Sequence, residues 1–266
     1  MSAEPVLRLD GVSRHFGGLR AVDAVDMAVA RGAIHGLIGP NGAGKTTLFN
    51  LISGLMPPSG GRIRLDDRDI THLAPHARAA SGIGRTFQTP QLFEDMTVVE
   101  TVMTGRHISG RVGILGAMFS VAAQRAEERA IAEAATRLVE SVGLADQAET
   151  PARNLPYGQR RVLEIARALA TEPSVLLLDE VTAGLNPVET EAVAGLVRRI
   201  AADGTTVVLV EHDMRFVMGL CDRVTVLNFG RLLAEGTPAE IMSNEDVVMA
   251  YLGRPKARRE EGRADA

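Results

Sequence analysis

Eight consecutive residues, Gly39-Pro40-Asn41-Gly42-Ala43-Gly44-Lys45-Thr46, constrain this chain more than any other stretch. They follow a short apolar run, Ala33 to Ile38, and open a helical stretch, Lys45 to Ser53, which gives strand, loop, helix in that order. In such a place glycines let successive backbone N–H groups converge on phosphate oxygens, and the helix N-terminus adds a favourable dipole. Lys45 supplies a point charge for the β- and γ-phosphates of a bound nucleotide. The Thr46 hydroxyl is placed to ligate Mg²⁺, and Thr47 belongs to the same nucleotide-binding set.

The runs Val175 to Leu178 and Thr205 to Val210 have the continuous hydrophobicity of strands covered on both faces, so they belong with Ala33–Ile38 in a parallel sheet. The first of them delivers Asp179 at its end, to hold the Mg²⁺ hydration shell, and then Glu180, to polarise an attacking water. The second delivers Glu211-His212-Asp213, with His212 placed as a sensor of the γ-phosphate. ATP with Mg²⁺ is the ligand this set predicts.

Val6 to Val12 and Ala21 to Ala30 alternate apolar and polar residues on either side of Gly17-Gly18, and read as an antiparallel pair. Between about Thr89 and Gln159 the texture changes to Ala, Glu and Arg. There Ala126, Ala130, Ile131, Ala134, Leu138, Val139 and Val142 recur at spacings of three and four, the mark of an amphipathic helix. The chain returns to the α/β texture and closes with a hairpin-like segment, Arg223 to Glu235. His72 and His76 bracket Pro75, which most simply begins a helix and leaves His72 outside it, so the pair makes no helical metal site.

The 266 residues carry a net charge of −4, which gives no global attraction for nucleic acid. The single cysteine, Cys221, reads as a small buried apolar residue in a reducing compartment. No signal peptide opens the chain, and the longest nearly uncharged apolar stretch, Val112 to Ala123, is too short to span a bilayer. The chain is not expected to cross a membrane by itself.

Taken in order, the loop at 39–46, Gln88 after Arg85-Thr86-Phe87, Leu155-Pro156-Tyr157-Gly158-Gln159 leading into Arg160 to Arg167, the strand with carboxylates at 175–180, Ala183-Gly184-Leu185-Asn186 and His212 resemble the ABC ATPases. The resemblance spans nearly the whole chain. It implies a P-loop NTPase fold: a RecA-like parallel-sheet lobe with an antiparallel β subdomain (5–88 and 161–240), an inserted helical lobe (89–160), and a charged tail (254–266). It also implies that Gln88 links Mg²⁺ to a transmembrane partner, that Leu155–Gln159 is the signature segment closing over the nucleotide of a second subunit, that Ala183–Asn186 is the D-loop, and that Phe16 stacks on adenine. On residue pattern alone Phe16 reads as core.

Gly82 to Gln88, Leu92-Phe93, Met96-Thr97-Val98, the Tyr-Gly-Gln of the signature, Asn186-Pro187 and Ala250-Tyr-Leu-Gly253 resemble the ATPases of branched-chain amino acid importers, a group similar to importers of amides and urea. The resemblance implies ATP hydrolysis, a second and different ATPase subunit, two transmembrane permeases, indirect supply by a periplasmic solute-binding protein, and a peripheral place on the cytoplasmic face of a bacterial inner membrane. Gly113 to Ala123 is expected to dock the permeases or to pack as ordinary core. A DNA-repair or translation ATPase would need a second cassette, a coiled-coil insertion or a basic surface; a regulator without turnover would lack Glu180 or Lys45. Three departures stand out. The signature has Pro156 and Tyr157 where Ser and Gly are common, Val181 follows the catalytic Glu where Pro is common, and Asn186 ends the D-loop where Asp is common.

Overall fold

The computed structural model describes residues 4–87, 92–106 and 121–252. In chain order the strands are β1 (Pro5–Phe16), β2 (Leu19–Ala30), β3 (Ile34–Ile38), β4 (Gly60–Leu65), β5 (Arg68–Asp69), β6 (Ile83–Arg85), β7 (Val175–Asp179), β8 (Thr206–Val210), β9 (Arg223–Asn228) and β10 (Arg231–Gly236). The helices are α1 (Lys45–Ile52), α2 (Pro75–Ala80), α3 (Val98–Arg106), α4 (Val121–Ser141), α5 (Tyr157–Leu169), α6 (Pro187–Ala202), α7 (Met214–Leu220), α8 (Pro238–Met242) and α9 (Glu245–Leu252).

Two sheets result. β2-β1-β4-β5 is antiparallel, and the expected hairpin turns at Gly17-Gly18. The other runs β10-β9-β3-β8-β7-β6, parallel except for β10, which returns along β9 at the edge. Every residue of β3, β7 and β8 is buried, which is why these strands are apolar throughout rather than alternating.

Alternate residues nevertheless face different cores. Ile38, Leu176, Leu178, Val207 and Leu209 point to one cluster, shared with α3, α4, α5 and α6. Leu37, Val175, Leu177, Val208 and Val210 point to the other, shared with α1 and the antiparallel sheet. The sheet is thus sandwiched, and its strand ends are free to carry chemistry.

The helical stripe differs from expectation at its start. Ala126 and Ala130 are exposed and Ile131, Ala134 and Leu138 half-buried, while Ala135, Val139 and Val142 are buried. The stripe meets the core only from Ala135 onward, and a methyl on each earlier alanine offers little apolar area to bury. Gln88 and Val112–Ser120, and with them most of the apolar stretch Val112–Ala123, lie outside the described residues; of Val121–Ala123 the helical backbone alone is described. Pro75 does begin a helix, and His72 and His76 are both exposed. Cys221 is buried, as read.

Arg78 of α2 was given no role by sequence reading. Its side chain is buried and donates to the carbonyls of Leu51, Ile52 (2.8 Å), Thr71 (2.7 Å) and Leu73 (3.1 Å). Leu51 and Ile52 close α1, so a buried cation meets the negative end of the helix that starts at the phosphate loop.

Candidate functional site

The loop between β3 and α1 is shaped by what its glycines touch. A Cβ on Gly39 would lie 2.2 Å from the Leu227 carbonyl oxygen, and one on Gly44 would lie 2.4 Å from the Ala21 carbonyl oxygen. The loop is therefore pressed against β9 and β2 at two points that only glycine fits. The Lys45 ammonium, at the first position of α1, donates to the carbonyls of Gly39 (2.7 Å) and Pro40 (3.1 Å), and so is held across the loop. Burial lowers its pKa, against the Glu180 carboxylate, which raises it.

Asn41, Gly42, Ala43, Gly44, Lys45, Thr46 and Thr47 line a cleft with Glu180 and His212. These groups come from three different strand ends, yet the sheet sets them side by side. His212 Nε2 lies 2.6 Å from Glu180 Oε1. Glu180 adopts φ +48°, a left-handed conformation unusual for a residue with a Cβ. It is held there by its N–H, which donates to the Val210 carbonyl (2.9 Å). Two residues on, the Thr182 N–H and hydroxyl donate to the Glu211 carboxylate at 2.9 and 2.8 Å. Burial raises the Glu211 pKa, and these same bonds lower it.

Asp179 ends β7, next in the chain to Glu180 of the cleft, and is buried. Its Oδ2 pairs with Arg85 at 3.1 Å, and Arg85 also donates to Asn50 (2.8 Å) and Ser53 (2.7 Å) of α1 and its cap. Burial pushes the Asp179 carboxyl up, against the Arg85 guanidinium. Among the described residues no group of three or more His, Cys, Asp or Glu could enclose a metal by itself. Mg²⁺ takes one or two protein oxygens and completes its shell with phosphate and water. Thr46, exposed in the cleft, and Asp179 supply oxygen donors of that kind.

Phe16 is not core: it is 42% exposed at the hairpin tip, with the Arg14 guanidinium 4.7 Å over its ring. Leu155–Gln159 stands apart from the cleft of its own chain. Leu155 and Gly158 are buried, Pro156 is the N-cap residue of α5 and makes no side-chain cap bond, and Tyr157 is 45% exposed. A Cβ on Gly184 would lie 3.1 Å from the Tyr157 ring, so the 183–186 turn packs on the tyrosine. The Asn186 side chain accepts from the N–H groups of Val188 (2.9 Å) and Glu189 (3.0 Å), and Glu189 returns a bond to the Asn186 N–H (2.9 Å). Asn caps α6 as well as Asp would, which accounts for that departure. Val181 is fully buried in the core.

Sequence reading missed Arg85, Arg161 and Glu164. Each lies in a quoted motif, but no spacing rule marks the partner of a buried charge. The signal for two of them is the apolar face of α5, where Arg161 and Glu164 fall among buried residues and ask for partners.

A family profile described as ABC transporter matches residues 22–183, and one described as branched-chain amino acid ATP-binding cassette transporter matches residues 231–257. The chain is 44% identical over 252 residues to the high-affinity branched-chain amino acid transport ATP-binding protein BraF of Pseudomonas aeruginosa, covering 94% of this chain and 99% of that one. It is likewise 44% identical over 253 residues to the corresponding protein LivG of Escherichia coli, with the same coverage. A solved ATP-binding cassette of an ABC transporter in its ADP conformation superposes with a TM-score of 0.83 at 32% identity, covering 94% of this chain and all of that one.

Proposed function

Because the chain belongs to the ABC transporter family of ATP-binding subunits, we propose that it drives import of branched-chain amino acids, paired with a second, different ATPase beneath two permeases. It is an ATP-hydrolysing subunit. The observation that carries the chemical reading is the meeting, in one cleft, of the Lys45 loop with Glu180 and its 2.6 Å contact to His212. In that arrangement the loop amides and Lys45 bind the phosphates, Thr46 and Asp179 would hold Mg²⁺, Glu180 takes the proton of the attacking water, and His212 fixes the carboxylate and reads the γ-phosphate. Mg²⁺, when bound, neutralises charge on the phosphate oxygens.

The branched-chain assignment is supported by the names of two relatives 44% identical over nearly the full length. Leu55, His76, Phe87, Phe93 and Arg167 border an apolar groove between the α1–α2 region and α3–α5. This groove is our candidate seat for the permeases, beside the stretch 113–123, most of which lies outside the described residues. No described helix is long and apolar enough to cross a membrane. We place the chain on the cytoplasmic face, attached through those partners. We place the lobe boundaries at 89 and 160, with residues 254–266 as a tail.

Glu180→Gln in the assembled complex is expected to lower ATP turnover by about 10²–10⁴-fold while ATP binding persists. Turnover within about threefold of the wild type would refute the assignment of Glu180.

A further inference from the structure

Arg161 and Glu164 stand one turn apart on α5, pair at 3.1 Å, and expose no side-chain surface. Apolar residues of like volume hold a core as well as an ion pair buried to this depth, so core stability alone does not account for it. The pair also bonds to the backbone of two other segments. Glu164 Oε1 accepts the Phe87 N–H at 2.8 Å, and Arg161 Nη1 donates to the Phe87 carbonyl at 2.9 Å. One turn of helix thus holds both peptide groups of residue 87. Arg161 Nη2 donates to the Glu180 carbonyl at 3.3 Å and to the Tyr157 hydroxyl at 3.4 Å.

Glu180 is the residue at φ +48°, a conformation that persists only where surrounding bonds impose it. Thr182 and Glu211 hold the turn beyond Glu180, and Arg161 holds the Glu180 carbonyl itself. The planar guanidinium fork makes this reach possible, since it presents fixed donors in several directions at once.

We propose that Arg161 is a positioning residue for hydrolysis, tying the start of α5 to the Glu180 backbone so that a shift of α5 moves the carboxylate. The inference rests on the reading of Glu180 as the group that polarises water. Tyr157, at the start of α5, belongs to the segment assigned to the partner's nucleotide, whereas Glu180 acts on this chain's own. Arg161 therefore joins the two ATP sites through a single side chain.

The test is Arg161→Lys in the assembled complex, which keeps a cation beside Glu164 but removes the fork. KM for ATP is expected to stay within about twofold and kcat to fall about tenfold or more, as for a misplaced catalytic group. In a Glu180→Gln background, the single-turnover rate is expected to fall no further when Arg161→Lys is added. If Arg161→Lys does not fold, the double variant Arg161→Met/Glu164→Leu removes both charges together and is read the same way. A kcat within about twofold of wild type, or the same loss on both backgrounds, overturns the proposal alone. Failure of both variants to fold assigns the pair to fold maintenance and also overturns it. Normal turnover by Glu180→Gln itself overturns the hydrolytic reading and the proposal with it.

Discussion

His35 shows how a residue deep in the sheet can set pH behaviour without touching the chemistry. It sits on β3 with Nε2 2.7 Å from the Thr225 hydroxyl, and burial, with a smaller push from Arg223, lowers its pKa from 6.5 to about 4. The folded state therefore prefers the neutral ring, so the unfolded chain takes up the proton first as pH falls. Stability is full above pH 6.5 and is lost as pH falls toward about 4, after which the loss is complete. Between pH 7 and pH 5 the expected loss from this one group is about 2 kcal/mol. Urea denaturation at the two pH values checks it, and His35→Gln is expected to abolish that part of the difference. Lys45, Thr46, Asp179, Glu180 and His212 could be found in the sequence because each follows a strand or opens a helix within a short motif. Arg85, Arg161 and Glu164 could not, because Asp179 lies 94 residues from Arg85, and Phe87 lies 74 and 77 residues from Arg161 and Glu164.

At the level of elements, close backbone approach governs how the helices meet. Gly105 of α3 packs on α5 so tightly that a Cβ there would lie 2.3 Å from the Arg167 carbonyl oxygen and 2.9 Å from the Ala170 methyl. Neither obstacle is the end of a flexible side chain, so α3 or α5 must move to admit it. Gly105→Ala is expected to destabilise the fold by about 1–3 kcal/mol, read as a lowered Tm with unchanged secondary structure. Most elements legible in the sequence were long or uniformly apolar, the β1–β2 hairpin, β3, β7, β8 and α1, while the β9–β10 hairpin and the start of α2 at Pro75 were read from local pattern. β4 and β5 escaped because most of their residues are exposed, and β6 because three residues carry no pattern. The amphipathic register of α4 was right only where the helix reaches the core, since periodicity reports a stripe and not what covers it.

For the molecule as a working pair, the start of α5 has the largest consequence. Pro156 lacks an N–H and a hydroxyl, and half-exposed Tyr157 adds bulk where a γ-phosphate would need free N–H groups. If Leu155–Gln159 covers the partner's nucleotide as proposed, its cap is expected to be weaker than a Ser-Gly-Gly segment's, and if the partner carries such a segment, the site built on Lys45 and Glu180 is expected to be the faster. Blocking one site at a time, by Glu180→Gln here and by the matching change in the partner, is expected to give the larger loss from Glu180→Gln; equal residual turnover would rule the asymmetry out. The place of β3 in its sheet bears on how the chain is made. Its neighbours are β8, whose residues begin at 206, and β9, whose residues begin at 223. Although the phosphate loop leaves the ribosome early, its strand has no hydrogen-bonding neighbours until most of the polypeptide has been synthesised. ATP therefore cannot rescue a half-made chain: nascent chains stalled so that residues before 206 alone are free of the ribosome are expected not to retain a fluorescent ATP analogue, and those released past 236 to retain it.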